Sequence, residues 1–367
     1  MNRDLTILLL LKDRTPFTWR WMNYYNQIGL PFKVLIADGG KDKSIEKLAD
    51  KSLFPNIDYE YIRYPYDENL GVFFKKIWEA LSCVKTKYVV LASNDDFYFT
   101  DALISSINFL DANSDYSTAR GDIYNFTVRQ SKKITGDKDV YGIITDIYKL
   151  YFNTSNTAST AMERIEIFSQ FSNSLWHDVS KTDELKEFYK NLYKLKIDDL
   201  KFADYFISTM TVAGGKIYRG PGLYMLHQYQ PDSISVASKN DPFEWILSES
   251  WPLNLFKMAN AISLRISRID NIPKNKAGNK FIQYYVANSL GKNMVASHIN
   301  KMTLYSSFNI LNLSHIFSKD NIIRKTFKNI YVFIKNQMQE TKNKEIIKQS
   351  SYYKNIEVVK NFLLQKN

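Results

Sequence analysis

The sequence predicts an α/β fold built on a mostly parallel sheet. Three observations carry this. Short apolar runs alternate with amphipathic helical patterns through the first 110 residues, the spacing expected of βαβ units. Two of those runs end in acidic turns, Asp38-Gly39-Gly40 and Asn94-Asp95-Asp96, where a parallel sheet would present a ligand. The chain, 367 residues with 45% hydrophobic content, is long enough to bury such a sheet on both faces and to carry an appendage.

The elements follow in order. Leu5–Leu11 is a predominantly apolar run and reads as a buried first strand, closed by Lys12-Asp13-Arg14. Phe17–Ile28 has helical spacing, with Pro16 suited to the first turn. Phe32–Ala37 is a second strand and Ser44–Leu53 a helix. Tyr59–Tyr64 alternates as a strand, Leu70–Leu81 is helical and Tyr88–Ala92 is another buried strand. Asp101–Leu110 is helical, with Asp101 placed as its N-cap. Asp115–Ala119 is a strand leading into Arg120-Gly121-Asp122, which reads either as a turn or as a site residue group. Residues 127–198 are mixed and mostly helical, an insertion. Leu200–Val212 is a helix broken by Gly214-Gly215, followed by two short strands, Lys216–Tyr218 and Gly222–Leu226. The division is therefore 1–235, with halves 1–112 and 113–235, and a helical, basic region 236–367.

Composition narrows the classes. Cys83 is the only cysteine, so no disulfide can form within the chain and no cysteine-built zinc site exists. Seven apolar residues at the start cannot cross a bilayer, which needs about 20, and no small-residue cleavage site follows them. No later run is longer, and the expectation is a cytoplasmic protein. Aromatic residues make up 15%, which serves a core or a sugar-binding surface equally well. The net charge is +11, and residues 321–367 hold ten basic against three acidic side chains. Such a tail is either a solvated helical face or a contact for a membrane surface, nucleic acid or anionic glycan.

Three motifs carry chemistry. A carboxylate just past a buried strand, Asp38, can accept the N–H of a uracil-type base, while Gly39 and Gly40 allow close approach and positive φ; a capped turn is the plainer reading. In Glu68-Asn69-Leu70-Gly71, Asn69 caps the next helix and Gly71 permits close approach. In Ser93-Asn94-Asp95-Asp96 two adjacent carboxylates repel one another, a cost offset when a divalent cation sits between them and a diphosphate. Without one, they form a solvated acidic turn.

Lys33-Val-Leu-Ile-Ala-Asp-Gly-Gly-Lys-Asp42, Glu68-Asn-Leu-Gly71 and Asn94-Asp-Asp-Phe-Tyr-Phe-Thr-Asp-Ala-Leu103 stand in the order and spacing of GT-A glycosyltransferases. The chain resembles those similar to family 2, of the bacterial surface-polysaccharide type, over about its first 110 residues and patchily beyond. The resemblance implies a Rossmann-like nucleotide-binding half in 1–112 and an acceptor or catalytic half in 113–235. It implies donor contacts at Asp38, Gly39, Asn69, Gly71, Asn94 and Asp95, and a divalent metal, Mn²⁺ or Mg²⁺, on Asp95 and Asp96. Two departures matter. Ser93 stands where the family often has Asp, and Lys12-Asp13-Arg14-Thr15 replaces a Pro-Thr-Tyr-Asn ending, which brings Asp13 or Arg14 to the nucleotide.

Beyond residue 200 the resemblance continues from Phe202-Ala203-Asp204-Tyr205 to Gly215-Lys216-Ile217, then through Leu223–His227. It implies a general base at Asp204, with Asp199 and Asp198 as alternatives, since Ala203 stands where the family has Glu. His227 either completes the metal site or is structural. The implied activity is inverting transfer of a sugar from a nucleotide-diphosphate donor to a hydroxyl of a glycan or lipid-linked acceptor. The basic tail would then make peripheral contact with the inner face of the cell membrane. Two other classes compete. A nucleotidyltransferase would carry a Gly-rich phosphate loop after its first strand, and Lys12–Pro16 has no Gly. A non-catalytic glycan- or nucleic-acid-binding protein suits the charge, but no nucleic-acid module is recognisable and no nucleic-acid partner is expected.

Overall fold

The computed structural model describes residues 4–129, 140–149, 154–171, 174–230, 242–290 and 352–364. Its centre is a sheet ordered β3-β2-β1-β4-β8-β6-β9-β5, with β7 attached to β6. The strands are β1 (Leu5–Leu11), β2 (Lys33–Asp38), β3 (Tyr59–Arg63), β4 (Tyr88–Ala92), β5 (Phe97–Tyr98), β6 (Tyr116–Arg129), β7 (Ile143–Lys149), β8 (Val179–Lys181) and β9 (Lys216–Gln228). The first four are mutually parallel. The short β8 is antiparallel to both β4 and β6, so β6 and its parallel partner β9 run in the same direction as the first four. The fold is thus α/β and Rossmann-like, with a mostly parallel sheet.

The apolar strand runs are explained by what covers them. Leu5, Ile7 and Leu9 of β1 face a cluster that includes Trp21 and Tyr25 of α1 (Thr15–Ile28) and Leu103 and Ile107 of α3 (Thr100–Ala112). Leu8 faces the other way, toward Phe74 and Ile77 of α2 (Leu70–Cys83), Phe188 of α5 (Thr182–Leu195) and Phe206 of α6 (Leu200–Gly214). A strand covered on both faces has no polar side, which is why these runs do not alternate.

The structure departs from the sequence reading in several places. Two 3₁₀ turns, Lys43–Ala49 and Lys51–Leu53, replace the helix expected over 44–53. Asp42 and Asp50 each cap the turn that follows, through Ser44 N at 2.9 Å and Ser52 N at 3.0 Å, so the chain restarts halfway. Asp101 is not the cap of α3; that position is Phe99, and Asp101 lies in the first turn. The stretch 127–198 holds β7 and β8 as well as α4 (Ala161–Phe171) and α5. Three residues of β8 are too few to show a period. The two short strands expected after Gly215 are one strand, β9, and Arg120-Gly121-Asp122 lies inside β6. Both strands kink where they meet: the register of β6 against β9 shifts on either side of Asp122, and Gly222 has φ +110°. A Cβ on Gly121 would lie 2.5 Å from the Gly222 carbonyl oxygen, so the two irregular stretches nest only because one is glycine.

The described residues beyond 236 are helical: α7 (Pro242–Ile246), α8 (Ser250–Asp270), α9 (Lys274–Tyr284), a π-helical turn Tyr285–Leu290, and α10 (Tyr353–Leu364). Met258, Ile262, Ile266 and Phe281 join the cluster under α6. Asp270 caps α4 through the Ala161 and Met162 amides, at 2.7 and 2.8 Å. From the far end of the chain, α10 buries Ile356, Val359, Phe362 and Leu363 on the opposite face, beside Tyr24 and Phe97. Among the described residues no helix is long and apolar enough to cross a membrane. Most of the basic tail, residues 321–351, lies outside the described residues.

Candidate functional site

Strand direction gathers the candidates. The segments after β1, β2, β4 and β9 leave the sheet at its carboxyl edge. The antiparallel β8 enters there, which brings His177 and Asp178 to the same side. The start of α6 belongs to that edge too, since Ser174, just before β8, donates to Asp204 on α6 at 2.7 Å.

At the end of β1, Asp13 and Arg14 both take left-handed backbone, φ 56° and 59°. That conformation costs roughly 1–2 kcal/mol for a non-glycine residue, and such strain concentrates at functional turns. Asp13 accepts the Lys41 amide at 2.7 Å, tying the first turn to the second. Arg14 reaches Asp95, Nη1 to Oδ2 2.9 Å. Asn94 donates to Thr18 Oγ1 at 3.0 Å and to the Arg14 carbonyl at 3.3 Å.

Asp38 is buried and well partnered. Its Oδ1 accepts the Gly40 amide at 2.8 Å; its Oδ2 accepts Tyr61 at 2.8 Å and pairs with Arg63. The adjacent glycines serve packing rather than positive φ. Neither Gly39 nor Gly40 has a positive φ. A Cβ on Gly39 would lie 2.5 Å from the Asp67 carboxylate, and one on Gly40 2.7 Å from the Asp13 amide. Asp67 is itself paired with the buried Lys76, whose ammonium also donates to the Leu11 carbonyl at 2.7 Å. Asp67 lies in the loop before α2 and Lys76 on that helix, nine residues on, and sequence reasoning missed the pair because a buried lysine on an amphipathic helix looks like a solvated one. Asn69 caps α2, accepting the Val72 amide at 3.0 Å. With Gly71, Phe74, Tyr193, Lys196 and Asp198 it lines a cleft of about 540 Å³.

The two adjacent acids diverge. Asp95 turns to Arg14, and its carbonyl accepts Arg20 Nη2 at 2.9 Å. Asp96 turns to two imidazoles. His227 Nδ1 lies 2.8 Å from Oδ1, which also accepts the Gln228 amide at 3.1 Å, and His177 Nε2 lies 3.9 Å from Oδ2. Ligand atoms of Asp96, His177 and His227 all lie within 4.8 Å of one another. The sequence reading placed Asp95 beside Asp96 and His227 as a ligand. In the structure Asp95 lies in the turn between β4 and β5 and pairs with Arg14, while His177 is the residue that stands with Asp96 and His227.

These residues fit a divalent cation. Asp96 Oδ2 is fully buried and accepts no hydrogen bond, while two ring nitrogens border it. A carboxylate with two imidazoles suits a divalent first-row transition ion. Burial raises the Asp96 carboxyl above its ordinary range, against the pull of His227. His227 itself is lowered by burial, but Asp96 and Asp95 together outweigh that and lift it to about 9. His177 is held well below the ordinary range by burial, with His227 pushing the same way.

Arg20, fully buried on α1, ties these loops together. Besides Asp95 it donates to Gln228 Oε1 and to the Val140 carbonyl, both at 2.7 Å. Its partners lie 75 to 208 residues away, so no local signal marks it. Under His177, Asp178 bridges Arg120 of β6 at 3.0 Å and Arg219 of β9 at 2.7 Å, all within the sheet interior.

The three candidate bases separate. Asp204 is raised by desolvation, with the Ser174 hydroxyl pulling it back. Asp199 is spent on structure: it caps α6 through the Phe202 amide at 2.9 Å and accepts Trp245 Nε1 at 2.6 Å. Asp198 lies 3.5 Å from Asn254 Nδ2 and lines the cleft beside Asn69.

No family model matches the chain, and no curated protein matches it in sequence. Among solved structures it is similar to S. aureus TarS 1-349, with 12% identity and a TM-score of 0.47 over 78% of this chain and 72% of that one. The same protein in complex with UDP-GlcNAc gives the same identity and TM-score over 78% and 73%. Against a longer TarS structure the chain spans 44% of the other's length. The mannosyltransferase PcManGT from Pyrobaculum calidifontis, in complex with GDP-Man and Mn²⁺, is similar over 99% of this chain and 86% of that one, with 8% identity and a TM-score of 0.40. At these scores the functional reading rests on the carboxyl-edge residues instead.

Proposed function

We propose that the protein is a metal-dependent glycosyltransferase that moves a sugar from a nucleotide-diphosphate donor to a hydroxyl of a glycan or lipid-linked acceptor. The observation that carries this is Asp96: a buried carboxylate oxygen without a hydrogen-bond donor, bordered by His177 and His227, at the carboxyl edge of a parallel sheet. Ligands of open α/β sheets bind at that edge. Asp96 and His227 would hold Mn²⁺ or Mg²⁺, which would neutralise the departing diphosphate. The strained Asp13-Arg14 turn, the Asp38 loop and Asn94-Asp95 would hold the nucleotide.

Asp204 is the base in this scheme. Its raised proton affinity suits a group that must take a proton near neutral pH. The acceptor oxygen bonds to the anomeric carbon as its proton passes to Asp204. The anomeric C–O bond breaks, and its electron pair leaves with the nucleoside diphosphate. Attack opposite the leaving group inverts the centre. The acceptor would belong to a surface polysaccharide made at the inner face of the cell membrane, where the basic tail would make contact.

A thermal-shift screen of nucleotide sugars with and without Mn²⁺ tests the reading. One donor should raise the melting temperature only with metal, since a ligand bound to the folded state alone stabilises it. Asp96→Asn should abolish that response, and Asp204→Asn should keep it while losing transfer. A panel in which no nucleotide sugar binds, with or without metal, would refute the proposal.

A further inference from the structure

The hydrogen bonds around His177 bear on which of its nitrogens carries the proton. The Tyr98 hydroxyl lies 2.7 Å from His177 Nδ1 and donates to the Leu91 carbonyl at 3.1 Å. A carbonyl oxygen can only accept, and both contacts of the hydroxyl are hydrogen bonds at once when its one proton goes to Leu91. The hydroxyl oxygen is then left to accept, and the ring proton sits on Nδ1. Nε2 keeps its lone pair and points at Asp96 Oδ2, 3.9 Å away, an oxygen that itself receives no hydrogen bond. Two lone-pair atoms facing each other in a buried space call for a cation between them. Two bonds of about 2.1 Å each, typical of imidazole and carboxylate ligands, can span that gap.

The ring is held for this task. Tyr224 donates to the His177 carbonyl at 2.6 Å, fixing its backbone. Tyr98 is clasped in turn: its amide donates to the Tyr25 hydroxyl at 2.6 Å, and that hydroxyl donates back to the Tyr98 carbonyl at 3.2 Å. Ligating histidines characteristically place their second nitrogen against such a partner, which sets tautomer and ring orientation.

We infer that His177 is a metal ligand through Nε2, that Tyr98 is the positioning residue that fixes this tautomer, and that the resulting set of one carboxylate and two imidazoles selects Mn²⁺ over Mg²⁺. Mg²⁺ prefers oxygen and keeps its waters, whereas imidazole suits first-row transition ions. The inference deepens the metal-dependent reading above and needs neither the donor nor the acceptor.

The test uses the full chain with metal ions alone. In the metal-free protein, ¹⁵N NMR of labelled histidine should show His177 protonated on Nδ1 and bare on Nε2. Pulsed EPR of bound Mn²⁺ should show nitrogen coupling from two imidazoles, and a tenfold excess of Mg²⁺ should not displace the ion. His177→Ala should weaken Mn²⁺ by about 10–100-fold and leave one imidazole coupling. Tyr98→Phe should weaken Mn²⁺ by about tenfold, with a mixture of His177 tautomers. A proton on Nε2 in the wild type would overturn the inference, as would unchanged Mn²⁺ affinity and coupling in His177→Ala, or equal competition by Mg²⁺. The NMR measurement decides the tautomer even where Tyr98→Phe fails to fold. Mn²⁺ bound through two imidazoles with no nucleotide sugar taken up would leave this inference standing and sink the transferase. Metal-dependent donor binding with an unchanged His177→Ala would do the reverse.

Discussion

The sheet has two halves that are stabilised differently. From β2 to β4 the strands are parallel, apolar and covered on both faces, with the half-exposed β3 at the edge, and the polar groups sit at or beyond the strand ends. From β8 to β9 the interior itself is ionic, with Arg120, Asp178 and Arg219 meeting inside the sheet. The first half presents backbone turns to a ligand. The second presents side chains, His177 and His227, whose positions depend on long-range pairings. The first half should therefore tolerate loss of a turn contact better than the second tolerates loss of its central acid.

Asp178→Asn should give the largest effect. It leaves two arginines in the interior against a neutral amide, and losing one partner of a buried ionic group costs about 3–5 kcal/mol. Denaturant unfolding of the variant measures this, and a loss below about 1 kcal/mol would show that the second half does not depend on the triad. Asp96→Asn should cut transfer by about 10²–10³-fold, the scale for removing an electrostatic stabiliser of a developing charge. Steady-state kinetics with metal and donor in excess reads it.

Gly39→Ala brings a methyl group against the Asp67 carboxylate and should cost about 1–3 kcal/mol by overpacking, visible as a lower melting temperature and weaker donor binding together. Asn69→Ala removes only a helix cap, at about 1 kcal/mol. An equal loss from Asn69→Ala and Asp178→Asn would erase the contrast between the halves. A further effect is gradual. His227 is raised to about 9 in the folded chain, above its unfolded value of about 6.5. Its contribution to metal-free stability is therefore fully present below pH 6.5 or so and is lost as pH rises through about 9. Over the same window Mn²⁺ affinity should rise, because the metal needs the neutral ring. Melting temperature and Mn²⁺ titration against pH should move in opposite directions.

The same contrast governs what could be read from the residues. In the first half, Leu5–Leu11, Phe32–Ala37 and Tyr88–Ala92 announce themselves as buried strands, and each site turn follows its strand directly. Helix α6 and the C-terminal helices were legible from spacing and from Gly214-Gly215. β8 was not, because a three-residue strand carries no period and gains its place only by pairing with both β4 and β6. Asp38 and Asn69 were legible as positions, though the partners of Asp38, Tyr61 and Arg63, come from the neighbouring strand β3. His177 was hidden because it precedes that unreadable strand. Arg20 was hidden because a buried arginine on an amphipathic helix looks like a solvated one until its acceptors are known.

By itself the sequence determined the layered α/β plan, the direction of the first strands and the edge at which Asp38, Asp95 and Asp96 emerge. These follow from hydrophobic period and turn chemistry, which act over a few residues. Only the tertiary structure decided how the two adjacent acids divide their work. Asp95 is drawn to Arg14, 81 positions earlier, and Asp96 to His177 and His227, 81 and 131 positions later. A side chain's charge partner is set by which strands lie side by side, and strand order is a property of the folded sheet.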